Sequence, residues 1–186
     1  MMKMHATAAV LLGLSAVAGA ARADNIDVNL SDKAVRGTYS LDLTGTQGLS
    51  MDAGLFYNDD DELVGNVGAM VSGQNWSQSG TFDIKLGGQA IIADADPGTA
   101  YALALGGQVR YTPVARVGIS GHVFFAPKII TWGDGERYNE YGVRLDYQLL
   151  PQAFVYIGYR KISTKFDNGD TLDFDKDGHI GMQFFF

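Results

Sequence analysis

The final eight residues, 179–186, restrict the possible folds of this chain more than any other segment. Apolar side chains occupy every second position, so they would share one face of an extended strand. The apolar positions are Ile180, Met182, Phe184 and Phe186, the opposite positions are His179, Gly181 and Gln183, and Phe185 is the one mismatch. A chain end normally frays into water, where such an apolar face would be sticky. The segment therefore favours a strand that faces lipid, and the terminal strand of a soluble sandwich is the alternative.

The same period of two recurs from residue 26 to the end of the chain, and no stretch after residue 23 has a convincing helical period. Turn residues separate about ten candidate strands, at 26–31, 35–43, 49–57, 63–71, 82–92, 101–111, 116–125, 141–149, 155–160 and 179–186. The first strand is short and the strand at Leu63 is weak, so eight remains an alternative to ten. The pattern predicts an all-β protein, a single antiparallel up-and-down transmembrane β-barrel of eight to ten strands, with ten favoured.

The connections between these strands differ in length. Counted from the C-terminus they are long at 163–178, short at Pro151, long at 126–140, short at Pro113 and of medium length at Pro97. Outer-membrane barrels have short periplasmic turns, longer external loops and both chain ends inside, and the alternation matches that arrangement. Since a barrel in lipid cannot leave a sheet edge open, the last strand is expected to pair with the first.

Residues 1–23 predict export. Lys3 precedes an apolar run from Ala6 to Ala18, which ends in Ala21-Arg22-Ala23. This is the pattern of a secretory signal peptide cleaved after Ala23, and the run is too short for a spanning helix of about 20 residues. The predicted organisation is a signal peptide, 1–23, followed by an outer-membrane barrel domain, 24–186. The expected location is the bacterial outer membrane, reached through the periplasm.

The mature chain is acidic. Lys3 and Arg22 are the only charged residues of the signal, so 12 basic and 21 acidic residues remain, a formal charge of −9. Such a balance argues against binding to nucleic acid, whose phosphates attract basic grooves. The chain has no cysteine, so it has neither disulfides nor thiol chemistry. The expected partners are outer-membrane lipids, lipopolysaccharide and the barrel assembly machinery, and a monomer is expected.

Two resemblances refine this prediction. His179, Gly181, Phe184 and Phe186 match in order the C-terminal assembly signal of bacterial outer-membrane barrels. The chain also resembles the YfaZ family of predicted outer-membrane proteins, through segments that span nearly the whole mature chain. These segments are Val28-Asn29-Leu30-Ser31-Asp32 with Val35-Arg36-Gly37, Gly121-His122-Val123-Phe124-Phe125-Ala126-Pro127 with Gly133-Asp134-Gly135, and Pro151 to Arg160. The resemblance implies a small, porin-like barrel without a chemistry that could be assigned residue by residue.

Polar side chains at the alternate strand positions predict a charged lumen. The predicted lumen residues are Arg36, Asp52, Asp83, Lys85, Gln108, Arg110, Arg116, His122, Arg144, Asp146 and Arg160. A barrel of this size is narrow enough for side chains to fill it, and buried charges must pair. Two functions stay open: a narrow porin-like channel, whose excess of arginine would favour anions, and a structural or lipopolysaccharide-binding barrel with a plugged lumen.

Catalysis has less support. Ser120 and His122 share one strand face, as the serine and histidine of a lipid-modifying enzyme would, but no orienting acid is identifiable. We therefore expect no enzyme, and no cofactor.

Acidic loops suggest a weak divalent-cation site. Asp173, Asp175 and Asp177 resemble the opening of an EF-hand loop, but Phe184 stands where the bidentate glutamate is required. A solvated acidic loop is the alternative. Together with Asp59-Asp60-Asp61-Glu62, these residues could bridge through divalent cations to lipopolysaccharide.

Overall fold

A computed structural model describes residues 24–43, 48–77, 80–96 and 98–186, so the predicted signal peptide lies outside the described residues. Within the described part of the chain, no helix is long and apolar enough to cross a membrane. The strands are β1 Asn25–Ser31, β2 Ala34–Asp42, β3 Leu49–Asn58, β4 Leu63–Ser77, β5 Gly80–Ala95, β6 Gly98–Val114, β7 Val117–Ala126, β8 Thr131–Gly133, β9 Gly135–Leu150, β10 Ala153–Phe166 and β11 Thr171–Phe185. A 3-10 turn at Lys128–Ile130 precedes β8.

Ten of these strands form a closed antiparallel barrel, which confirms the predicted fold and the favoured strand number. Each strand pairs with its neighbour in the chain, and β7 pairs with β9. The short β8 lies outside this count, because it pairs only with Ala100–Ala102 of β6, beyond the point where β7 ends. The barrel closes where β1 pairs with β11, from Asn25 opposite Phe185 to Ser31 opposite His179. The last strand thus removes the edge of the first, as predicted.

The barrel has two ends. We call the end where β1 begins and β11 finishes the terminal rim, and the opposite end the distal rim. The turns at 115–116 and 151–152 lie at the terminal rim, and the connections at 32–33, 59–62, 127–134 and 167–170 lie at the distal rim.

The distal connections are shorter than the sequence pattern predicted. Most of the predicted loop 126–140 belongs to β9 and its neighbours, and β10 and β11 extend through 163–178 to a turn at 167–170. A β-bulge at Ile162/Ser163 shifts the register between these two strands. Because a bulge interrupts the alternation and the outward residues there are charged, the period of two disappears from the sequence although the strands continue.

The outer surface of the barrel is apolar, with aromatic side chains near both rims. The distal group is Tyr57, Tyr101, Phe125, Trp132, Tyr141 and Tyr159, and the terminal group is Phe82, Tyr147, Phe184 and Phe186. Aromatic girdles on either side of an apolar band are typical of a barrel in a membrane. Phe185, the mismatch in the final strand, is half-buried on the inside and packs edge to face on Phe154, with ring centroids 5.5 Å apart.

The interior divides into an apolar distal half and a polar remainder. We call the buried apolar side chains of the distal half the distal core: Phe56, Val64, Met70, Ile91, Ala93, Ala100, Ala102, Ala104, Phe124, Ala126, Tyr138, Ile162, Phe166 and Phe174. Phe56, Phe166 and Tyr138 are each 1% exposed. Side chains with so little exposure have almost no contact with water. They fill much of the lumen in the distal half.

Candidate functional site

The polar part of the lumen is the candidate site, and it contains all but one of the predicted lumen residues. The inward-facing ones are Arg36, Asp52, Asp83, Lys85, Gln108, Arg110, His122, Arg144, Asp146 and Arg160. Arg116 is the exception. It lies in the exposed turn between β6 and β7 with φ 72°, so its predicted lumen position is wrong. The sequence pattern places the short turn at Pro113 and Arg116 at the start of the next strand, but β6 continues to Val114 and the turn lies at 115–116.

The central ion pair joins Arg36 of β2 to Glu140 of β9 across the barrel. Arg36 Nη1 donates to Glu140 Oε1 at 2.5 Å, and the two side chains are 12% and 3% exposed. The Tyr138 hydroxyl donates to Glu140 Oε2 at 2.7 Å, and His122 Nε2 lies 3.4 Å from Glu140 Oε1. Residues of β2, β7 and β9 thus meet at one carboxylate, and Arg36 Nη2 also donates to Asn66 Oδ1 of β4 at 3.4 Å.

Two further arginines are held by carboxylates and by rings. Arg144 Nη1 donates to Asp27 Oδ2 at 3.1 Å, and its guanidinium lies over the Tyr156 ring at 4.8 Å. The Tyr156 hydroxyl donates to the other oxygen of Asp27. Arg160 is 2% exposed and contacts Asp175 at 2.6 Å from Nη2, and its guanidinium lies 5.3 Å from the Phe56 ring centre. Bonds to both a charge and a π face fix each guanidinium in one orientation.

Arg110 and Asp146 form the fourth ion pair, nearest the terminal rim, with two bonds between them. Gly118 makes this pair possible, because a Cβ there would lie 2.5 Å from Arg110 Nη2 and 2.7 Å from Asp146 Oδ2. The guanidinium lies 5.4 Å from the Phe154 ring centre.

The expected excess of arginine over acid is not present in the described lumen. Seven acids face inward, namely Asp27, Asp42, Asp52, Asp83, Glu140, Asp146 and Asp175, against the five bases Arg36, Lys85, Arg110, Arg144 and Arg160. The sequence reasoning missed Asp27, Asp42, Glu140 and Asp175. Asp27 and Asp42 stand at polar positions of predicted strands, so the alternation could have found them. Glu140 and Asp175 had been assigned to loops.

Inward-facing glycines surround the middle of the barrel, which we call the waist. They are Gly54, Gly68, Gly87, Gly106, Gly142, Gly158 and Gly181. A Cβ at Gly142 would lie 2.6 Å from the His122 ring, and one at Gly158 would lie 2.7 Å from the His179 ring. The missing side chains therefore leave room for polar side chains to lie flat against the wall.

Two adjoining cavities occupy the polar lumen. The waist cavity, about 160 Å³, is lined by Arg36, Asp52, Gln89, His122, Glu140 and their neighbours, and Met70 and Phe124 of the distal core form its distal wall. The second cavity, about 680 Å³, opens at the terminal rim, and we call it the terminal cup. The two share Asn25, Gln108, Arg144 and Gln183. A polar space thus runs from the terminal rim to the waist and stops at the distal core.

Ser120 and His122 share a face as predicted, but they do not act on each other. The Ser120 hydroxyl accepts from Arg144 Nε at 3.0 Å, whereas His122 approaches Glu140. Between these two described residues the structure has no hydrogen bond. A nucleophile needs its base within hydrogen-bond reach.

The three aspartates proposed for a divalent cation are not brought together. Asp173 faces outward and pairs with Lys161 at 3.1 Å, whereas Asp175 faces inward and pairs with Arg160. The bulge at Ile162/Ser163 accounts for this separation, because it changes which residues share a face. Among the described residues, no group of three or more His, Asp or Glu side chains is arranged to hold a metal ion.

Charges at the distal rim are paired on the outside of the barrel. Lys128 contacts Glu136, and Lys165 Nζ lies 3.0 Å from the same carboxylate. The hydrogen bond to Glu136, and then its charge, raise the pKa of Lys128 above its ordinary value of 10.5. At the turn between β3 and β4, burial raises the pKa of Glu62 above its ordinary value of 4.5.

The solved structures to which this chain is similar are all distant. No curated protein matches the chain. Among solved structures, the NanC porin is 12% identical with a TM-score of 0.45, over 88% of this chain and 99% of that one. A KdgM porin in complex with disordered oligogalacturonate is 11% identical with a TM-score of 0.47, over 88% and 99%. The outer membrane protease OmpT from Escherichia coli is 9% identical with a TM-score of 0.49, over 89% and 93%. Similarities this low carry no argument about function.

The family assignment is independent of those structures. The profile of the YfaZ precursor family matches residues 1–186, the whole chain. The segments that suggested the resemblance lie in β1 and β2, in β7 with the connection that follows it, and in the turn from β9 into β10. The chain belongs to the YfaZ family.

Proposed function

We propose that this chain lies in the bacterial outer membrane with its terminal rim in the periplasm, and that it is a binding barrel closed toward the outside. Three features support this orientation: β1 begins and β11 ends at the same rim, the turns at that rim are short, and the outer band is apolar. The terminal cup would accept small polar solutes from the periplasm, and the distal core would prevent them from crossing.

The observation that carries the proposal is the composition of the distal core. Membrane barrels that conduct have a polar, water-filled interior. Here Phe56, Phe166, Phe174, Ile162 and Tyr138 are each at most 3% exposed and meet across the lumen. A hydrated ion entering this region would lose most of its water among mainly apolar side chains, which is unfavourable.

A gated channel is the second candidate. It is favoured by the continuous polar space from the terminal rim to the waist, which contains paired charges of both signs. In this case the distal core would have to rearrange before solute could pass.

Single-channel conductance of the refolded mature protein in a planar bilayer separates the two candidates, with folding checked by heat-dependent mobility in detergent gels. The closed barrel predicts no conductance from the natural chain and discrete steps from a triple variant in which Phe56, Phe166 and Phe174 are changed to alanine. Phe125→Ala is the matched control, because Phe125 follows Phe124 on the same strand but faces lipid. Discrete steps from the natural chain would favour the channel, and a folded triple variant without steps would contradict the role of the distal core.

A further inference from the structure

One buried carboxylate at the waist lacks an ion-pair partner among the described residues. Asp52 of β3 is 7% exposed, and the structure has no Lys, Arg or His nitrogen within ion-pair distance of it among the described residues. Arg36 is bound to Glu140, and Arg144 and Arg160 are bound to Asp27 and Asp175. A buried, unpaired carboxylate is unfavourable by several kcal/mol unless something compensates its charge.

The hydrogen bonds of Asp52 leave one oxygen unused. Oδ2 accepts from Asn66 Nδ2 at 3.0 Å and from Gln89 Nε2 at 3.2 Å. Among the described residues, the buried Oδ1 has no hydrogen-bond partner, and neither has Gln89 Oε1. The Gln89 amide cannot be turned over, because its carbonyl oxygen would then face a carboxylate oxygen. Two oxygen acceptors, one of them charged, therefore lack donors in the same wall of the waist cavity.

The neighbouring groups are also oxygen-bearing and neutral. Ser40 lies directly opposite Asp52 in the β2–β3 ladder, and Ser40 and Thr38 both line the waist cavity. Gly68 lets the Asp52 carboxylate and the Gln89 side chain lie against the barrel wall, because a Cβ there would lie 2.8 Å from Asp52 Oδ1 and 2.7 Å from Gln89 Cγ. The described lumen also has two more acids than bases.

From this geometry we propose that the waist cavity binds one small monovalent cation, held by Asp52 Oδ1 and Gln89 Oε1, with the Ser40 hydroxyl and water completing the shell. Hard cations take oxygen ligands, and calcium sites use several carboxylates. A single carboxylate among neutral oxygens matches one positive charge. Access is from the terminal cup, since the distal core closes the other side.

The test measures the urea-induced unfolding equilibrium of the refolded mature barrel in two salts. Sodium chloride is compared with N-methylglucamine chloride at equal ionic strength. For one site occupied only in the folded state, the folding constant rises about tenfold for each tenfold rise in sodium once the site is nearly filled. Asp52→Asn keeps the shape of the side chain and is expected to abolish this dependence. Asp42→Asn is the control, because this substitution removes the same charge at the open terminal cup. The Asp42→Asn variant is expected to keep the sodium dependence.

Three outcomes would overturn the proposal. The natural chain could unfold alike in both salts, which would leave only water beside Asp52. Asp52→Asn could retain the sodium dependence, which would move the site elsewhere. The sodium dependence could be absent from the natural chain and present in Lys85→Gln. This would mean that the Lys85 ammonium, on the wall of the terminal cup, supplies the positive charge that compensates Asp52 in the natural chain. Should Asp52→Asn fail to refold, Gln89→Met is expected to shift the dependence to higher sodium, and an anomalous peak beside Asp52 in crystals grown with rubidium locates the ion.

Discussion

The Arg36–Glu140 pair offers the sharpest test of how the lumen stabilises the barrel. Changing Glu140 to glutamine keeps the shape of the side chain but removes its charge. Arg36, whose side chain is 12% exposed, would then have no carboxylate partner in the described lumen. Breaking a buried ion pair in this way costs about 3–5 kcal/mol, because one charge remains in a poorly solvated place. The Tyr138 hydroxyl keeps an acceptor, so we expect a loss near the lower limit, about 3 kcal/mol.

A double-mutant cycle separates the interaction between the two charges from the independent effect of each substitution. Arg36→Met alone leaves Glu140 buried without a guanidinium and should be destabilising too, but the combination with Glu140→Gln removes both charges. Uncharged replacements of a buried pair are often close to neutral, so we expect the double variant to lose much less stability than the sum of the two single losses. The assay is urea unfolding in lipid vesicles, followed by tryptophan fluorescence and by gel mobility. Glu136→Gln, at the exposed distal rim, serves as the control and should change the midpoint little.

Two results would refute this reasoning. If Glu140→Gln lost less than about 1 kcal/mol, the waist would be solvated well enough to screen its charges. If the double variant lost the sum of the two single losses, Arg36 and Glu140 would contribute independently, and the pair would not be the link between β2 and β9.

Three other changes test the remaining features. Gly181→Ala should destabilise by about 1–3 kcal/mol in the same assay, because its methyl would overlap the Tyr156 ring and lie 2.8 Å from Asn29 Cβ, whereas Gly37→Ala, with nothing within 4 Å, should be tolerated. Because the pKa of Glu62 is raised in the folded chain, the stabilising contribution of its protonated form is complete below about pH 4.5 and is lost as the pH rises through the raised pKa. The unfolding midpoint of the natural chain should therefore fall from pH 4 to pH 7 relative to Glu62→Gln, and equal profiles would contradict the buried position of Glu62. Deletion of Phe186 should reduce assembly in cells but not refolding in detergent, and reduced refolding would assign Phe186 to stability instead of to the assembly signal.

The sequence predicted the parts of this fold that lie in the membrane band. In that band one face of each strand meets lipid and the other meets polar groups, so the period of two is clear, as at 101–111 and 179–186. The strands beyond the band were predicted as loops, because charged residues such as Lys161 and Asp173 stand on the outer face there. Asp175 and Glu140 were missed for that reason.

Pairing inside the lumen could not be read from the sequence. Arg36 and Glu140 are 104 positions apart, and Arg144 and Asp27 are 117 apart. Which arginine meets which acid depends on the register of all ten strands, and one shifted residue changes every contact. The waist glycines were visible in the sequence, but their function of leaving room for His122 and His179 appears only when the strands are placed side by side.

The distal core follows from the same change of surroundings. Where β9, β10 and β11 extend beyond the distal aromatic group, outward residues such as Arg137, Lys161 and Lys165 are polar and in contact with water. A sheet with a polar outer face needs apolar side chains inside, as a soluble β-barrel does, because otherwise neither face would bury apolar surface. Phe166 and Phe174 are therefore required for the stability of the extended strands as well as for closing the lumen. A variant that opens the lumen by removing them should accordingly lose stability in the distal part of the barrel first, which would appear as earlier hydrogen exchange of the β10–β11 hairpin than of the β1–β11 seam.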